Sequence, residues 1–269
     1  KILKRTLVLL LVALIISGSG FITHEVISSD EEQKINEAIN QRTKQMAIDF
    51  KQQVAQYETV LSSTATFFNA TETVTKAQFN SFVTGLKIDK TYPGIKGIAY
   101  LLKTGPDDAV VVNTLSAENG IELKTSVADT KTEKAILYYV TPEDKQVPSG
   151  LDAYLIPGGK EGLYYGITEN KVGASPPLQY IIDSNPTVGF VLAYPAVGGA
   201  PIKLDSMVSS PNSGWILSFI DTSKIFNNIS SRDFSLEITD HEVPKLKSEI
   251  KTKNPAKYTK TFSINVGGR

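Results

Sequence analysis

Apolar and polar positions along this chain change pattern several times, and each pattern predicts a different element. The first is an almost unbroken apolar run over residues 7–16, extended by Phe21 and Ile22 and preceded by Lys1, Lys4 and Arg5. A basic flank before an uncharged apolar stretch predicts insertion into a membrane with the N-terminus cytoplasmic. Residues 6–23 come close to the roughly 20 apolar positions that a spanning helix needs. A cleaved signal peptide is the rival reading, with Ser17 and Ser19 as the small residues of a processing site. Both readings place the remainder of the chain outside the cytoplasm.

Residues 26–68 contain neither Pro nor Gly and are rich in Glu, Gln, Lys, Ala and Ile. Those residues favour helix and the two usual breakers are missing. Two apolar series, Ile35/Met46/Tyr57/Phe68 and Ile39/Phe50/Leu61, each advance by eleven residues. Eleven residues make about three turns, so the stripe stays almost straight along a helix. At roughly 1.5 Å per residue such a helix outreaches a small domain. The spacing therefore predicts a stalk that pairs with its twin in a homodimer at one end and joins a core at the other.

A second helix is predicted over 75–87, with Thr75 as its cap and Phe79, Phe82, Val83 and Leu86 on one side. Tyr92-Pro-Gly94 turns the chain into a strand over 95–102, and further strands are predicted at 109–115, 135–140 and 188–194. Between 148 and 186 the density of Gly, Pro and Tyr predicts long loops with one short helical turn. After the break at Gly198-Gly-Ala-Pro201 a strand at 214–220 and a short helix at 222–228 follow. Strict alternation at 234–240 and 258–266 marks two half-buried strands. Hairpin-like strands with a few helices make an α+β fold with antiparallel sheets.

Composition narrows the chemistry. With 28 Lys+Arg against 28 Asp+Glu the chain has no net charge, which argues against a nucleic-acid partner. No Cys is present and only His24 and His241 could offer imidazole, so thiol catalysis and transition-metal centres are not expected. No phosphate loop, dinucleotide fingerprint, Gly-x-Ser-x-Gly elbow or His-Glu-x-x-His occurs, and Gly158-Gly-Lys160 has the wrong spacing for a phosphate loop and reads as an ordinary loop. The expectation is a protein that is not an enzyme and carries no cofactor or metal. Nine tyrosines between 92 and 194 point instead to binding, since a flat apolar face with a hydroxyl suits a small concave site.

Six stretches in order resemble the CHASE domains, extracytoplasmic sensory regions of bacterial sensor kinases and cyclases and of plant cytokinin receptors. They are Tyr92-Pro-Gly-Ile-Lys-Gly-Ile-Ala-Tyr100, Tyr139-Val-Thr-Pro142, Gly150-Leu-Asp152 with Pro157, Val188-Gly-Phe-Val-Leu-Ala-Tyr-Pro-Ala-Val197, the strand and helix from Gly214-Trp-Ile to Phe226, and Phe262-Ser-Ile-Asn-Val-Gly-Gly-Arg269. The arginine usual after the Gly-aromatic-Asp loop is absent, with Lys160 the nearest basic residue. The resemblance implies a long N-terminal helix followed by two PAS-like units, the membrane-distal one holding a ligand. It also implies a second membrane helix after residue 269 and a cytoplasmic output domain such as a histidine kinase or diguanylate cyclase.

The expected organisation is thus a transmembrane anchor at 1–24, stalk and second helix at 25–91, a distal PAS-like unit at 92–198 and a proximal one at 199–269. The chain is read as the sensory region of an inner-membrane receptor, facing the periplasm or the exterior, with an unknown small molecule as ligand. Tyr100 and Tyr139 are expected to line the site and Asp152 to accept a hydrogen bond from a ligand N–H. The competing reading is a membrane-anchored structural or adhesive α/β domain that binds a protein partner.

Overall fold

The computed structural model describes residues 2–71, 74–105, 113, 116–117, 120–122, 133–143, 149–155, 159–182, 185–196, 214–227, 236–239, 247–250 and 264–267; within these, the side chains of 2–31, 167–168, 180–182, 185, 226–227, 236–239 and 247–250 are not described. The chain divides into two compact units. One comprises residues 1–48 with 258–262, the other 49–257 with 263–269. A single helix, α1 (Ile2–Asn69), supplies most of the first and enters the second. The expected membrane anchor at 1–24 falls among the residues whose side chains are not described. Among the described residues no helix is long and apolar enough to cross a membrane. In the first unit Ile35 and Ile48 are exposed.

In the second unit the stripe of α1 closes into core. Phe50, Val54, Tyr57, Leu61, Ala65 and Phe68 are all buried, recurring every three or four residues as one helix face must. Helix α2 (Lys76–Gly85) starts on a capping box: Gln78 N–H donates to Thr75 Oγ1 while Gln78 Oε1 accepts from Thr75 N–H. These reciprocal bonds satisfy donors that the first turn leaves orphaned. Its buried face, Phe79 and Val83, is part of the face expected from sequence. A short helix, α3 (Ile88–Thr91), follows Lys87 in the left-handed conformation and leads to the Tyr92-Pro-Gly94 turn.

Six strands then build one antiparallel sheet: β1 (Ile95–Thr104), β2 (Lys134–Thr141), β3 (Gly173–Ala174), β4 (Leu178–Ile182), β5 (Asn185–Ala196) and β6 (Gly214–Asp221). Their order is β2-β1-β6-β5-β3, with β4 paired to β5. Helix α4 (Gly159–Glu169) lies between β2 and β3 in sequence, and α5 (Thr222–Asn227) follows β6. A separate two-stranded sheet joins β7 (Leu236–Thr239) to β8 (Lys247–Ile250).

The observed α+β fold is an N-terminal helix followed by a curled antiparallel sheet, and several expectations need correction. Strand β6 belongs by sequence to the expected 199–269 unit, yet it is hydrogen-bonded between β1 and β5. Turn-forming residues mark a chain reversal between neighbouring strands as readily as a domain boundary. No distinct second PAS-like unit is present among the described residues. The segment read as long loops with one short helical turn at 148–186 holds the 11-residue α4 together with β3 and β4, and Gly159-Lys160 opens α4 rather than lying in a loop. Of the strand expected at 109–115 only Asn113 is described, and it is helical. Residues 258–263 of the last expected strand lie outside the described residues, and 264–266 have no regular structure.

Candidate functional site

The sheet presents two faces of opposite character, because neighbours along a strand alternate sides. On β1, Tyr100 pairs with Tyr139 of β2 and Ile216 of β6, whereas Ala99 and Leu101 pair on β6 with Leu217 and Trp215. Tyr100 stacks on Phe68 of α1 with ring centroids 4.2 Å apart. Tyr139 stacks on Phe79 of α2 at 5.5 Å and donates its hydroxyl to the carbonyl of Val74 at 2.9 Å. Both tyrosines are therefore buried in the layer between sheet and N-terminal helices, and burial drives both hydroxyl pKa values above the ordinary range. Neither is among the residues that line the cleft described next.

On the other face α4 covers the sheet. Its packing is unusually close because glycine faces glycine. A Cβ on Gly173 would collide with the carbonyl oxygen of Gly162, and a Cβ on Gly162 would lie 2.8 Å from that of Ala174. Trp215, fully buried beneath α4, donates its indole N–H to the carbonyl of Leu163 at 3.1 Å. Three glycines (159, 162, 173), two alanines (153, 193), Ser175, Val191, Leu163 and Leu217 bound a narrow cleft that opens to solvent, with a volume of about 20 Å3, enough for roughly one water molecule. The polar side chain among these described lining residues, Ser175, already donates to the Pro176 carbonyl at 2.8 Å and accepts from Val191 N–H at 2.9 Å.

Asp152 holds one wall of this cleft. It is buried, and its Oδ1 accepts from the backbone N–H of Ala135 at 3.1 Å and of Tyr154 at 3.0 Å. Leu151 carbonyl accepts from Leu137 N–H at 2.8 Å, so the Gly150-Leu-Asp152 loop runs along the edge of β2. The carboxylate thus fixes the loop that carries Ala153 and Tyr154.

Sequence reading missed a polar-aromatic cluster beside the cleft. Lys103 is buried to 1% side-chain exposure and its Nζ pairs with Glu133 Oε1 at 3.4 Å. Tyr164 donates its hydroxyl to Glu133 Oε2 at 2.6 Å. That hydrogen bond first, then the Lys103 charge, holds the Glu133 carboxyl below its ordinary pKa against the opposing effect of burial. Tyr154 lies 6.3 Å from Tyr164 and 6.5 Å from Trp215 between ring centroids. Its buried hydroxyl forms no well-aligned hydrogen bond and is held above the ordinary pKa by desolvation, with Tyr164 and Glu133 adding to the effect. The Lys160 ammonium stands over both tyrosines, 5.4 and 5.7 Å from their centroids. The density of tyrosine was the visible signal; the partners of Glu133, Lys103 and Tyr164, 30 and 31 residues away in sequence, were not. Among the described residues no group of three or more His, Asp or Glu could hold a metal.

Comparison with known proteins gives this arrangement a context. No curated protein matches the chain. Among solved structures it is similar to a protein described as Methyl-accepting Chemotaxis protein X, at 10% identity over 77% of this chain and 70% of that one, with a TM-score of 0.47. It is also similar to the periplasmic sensory domain of the Campylobacter jejuni chemoreceptor Tlp1, at 16% identity over 74% and 65% of the two chains, with a TM-score of 0.41. The CHASE domain model matches residues 72–250, which contain the sheet, α4 and the cleft. The chain belongs to the CHASE family of non-catalytic sensory modules, and it is an extracytoplasmic sensory domain.

Proposed function

We propose that the cleft between α4 and the sheet is where this sensory domain takes a small-molecule ligand. The observation that carries the reading is the asymmetry of the sheet. One face is filled by large aromatics, and the other leaves a narrow, solvent-open apolar cleft lined by small side chains, which a ligand must widen to enter. Asp152 serves as a positioning residue that holds the loop at one wall. Tyr100 and Tyr139 act from the opposite face, where they couple the sheet to α1 and α2.

In the same reading residues 1–24 anchor the chain in the membrane and α1 pairs with its twin in a dimer. The sheet through β6 forms the membrane-distal unit. The remainder of the chain, with β7 and β8, forms a smaller membrane-proximal PAS-like unit. Ligand must favour one arrangement of α4 and the sheet over another, since equal affinity for both would transmit nothing. The change passes through the Tyr100–Phe68 stack into α1 and on to a cytoplasmic output domain.

Val191 borders the cleft and is only half-buried, so Val191→Phe can fill the space without breaking the core. In the full-length receptor this variant should hold output at one level across growth media that shift the wild type. A variant that fails to accumulate is replaced by Val191→Leu, and a wild-type response from either folded variant overturns the assignment of the cleft.

A further inference from the structure

We propose that Tyr154 and Tyr164 form an ammonium-recognition site at the edge of the cleft, held in this structure by the chain's own Lys160, and that the ligand of this domain is an amine with a small apolar body. The proposal rests on the cleft being the ligand site and specifies what enters it. Ala153, Gly159 and Leu163 line the cleft, and Tyr154, Lys160 and Tyr164 are the residues that follow each of them. Tyr154 also packs against the cluster of Leu163, Trp215 and Leu217.

The two rings already share one cation. Lys160 Nζ lies within 6 Å of both centroids, the range in which a ring quadrupole attracts an ammonium. Tyr164 donates its hydroxyl to Glu133, which draws the phenol toward phenolate character and makes its face more negative. Glu133 is in turn neutralised by the buried Lys103, so its role is to position and polarise Tyr164. The local charges balance: Lys103 and Lys160 against Glu133 and Asp152. Lys160 is exposed and can swing into water, whereas Lys103 cannot. Exchange of the tethered ammonium for that of a ligand conserves charge, while a carboxylate over the same ring faces would meet repulsion. Ser175, the polar side chain among the described lining residues, already donates to one carbonyl and accepts from one N–H.

A matched set of probes tests this: benzylamine, benzyl alcohol and benzoate, titrated into the full chain and read by thermal shift and calorimetry. Benzylamine should bind tightest. Lys160→Gln removes the tethered competitor and should tighten benzylamine about threefold without affecting benzyl alcohol. Tyr164→Leu should weaken benzylamine about tenfold and abolish its advantage over the alcohol, while Tyr164→Phe, which keeps the ring, should retain part of that advantage. Val191→Phe separates the two readings. Equal binding of all three probes, or a preference for benzoate, with both lost in Val191→Phe, overturns the amine site and leaves the cleft standing. An amine preference that survives Val191→Phe supports the ring site and removes the cleft. Absence of any benzylamine binding, or loosening by Lys160→Gln, overturns the ammonium site.

Discussion

The two faces of one sheet are built from the same strands and do different work. Toward α1 and α2 it presents Tyr100 and Tyr139, which stack on Phe68 and Phe79 in a buried layer. Toward α4 it presents Ala99, Ala193 and Leu217 beside the larger Leu101, Leu137 and Trp215, and the helix opposite contributes Gly159 and Gly162. The difference is one of side-chain volume at alternating positions. Large planar rings make a face that holds shape and transmits displacement, since packed interiors yield little. Small residues let the helix opposite approach closely and leave only a narrow open cleft.

The contrast can be broken at either face. Phe68→Ala removes the ring that stacks on Tyr100 and should cost about 3–5 kcal/mol, read as a lower denaturant midpoint at unchanged slope. A loss well under about 1 kcal/mol would mean that the helix-side layer is not the tight one. Gly173→Ala places a methyl against the Gly162 carbonyl and should cost about 1–3 kcal/mol by forcing α4 away from β3. Because the strain is confined to the cleft face, this variant should lose probe binding before it loses the Tyr100 environment, as followed by near-ultraviolet circular dichroism.

The smallest effect is the dependence on pH at the cluster beside the cleft. Glu133 titrates below its ordinary 4.5 in the folded chain, so its pairing contributes stability above that value and loses it as pH falls further. Glu133→Gln should flatten the acid limb of the melting-temperature profile, modestly, because the carboxylate is partly exposed. The buried tyrosines work in the opposite direction. Tyr57, raised by burial to about 12 from 10.0, stays protonated in the fold where the unfolded chain ionises. Together with Tyr100, Tyr139 and Tyr154, also raised, it makes stability fall as pH climbs past the ordinary tyrosine value. Tyr57→Phe should delay that fall.

Much of the secondary structure could be read from local pattern. The strands at 95–102, 135–140, 188–194 and 214–220 lie within β1, β2, β5 and β6, and Thr75 caps α2 as its spacing predicts. These features depend on residues close in sequence, where periodicity and capping chemistry act directly. Helix α4 was illegible for the converse reason. Gly162 and Gly166 each cost a helix about 1 kcal/mol, and only the close approach of β3 offsets that.

The sequence by itself determined the family, through six ordered stretches, and the alternation that makes a two-faced sheet. Which face meets which helix was decided in three dimensions. Tyr100 and Tyr139 are aromatic, strand-borne and near the Gly150-Leu-Asp152 loop, so sequence reading placed them in a ligand site. A register irregularity between Tyr100 and Leu101 on the β2 side leaves Tyr100 facing Tyr139 and Leu101 facing Leu137, while Phe68 and Phe79 claim the tyrosine side. A period of two says that neighbours point apart, but not which of them meets a helix. That depends on where α1 and α4 dock, and docking is set by the summed fit of residues far apart along the chain.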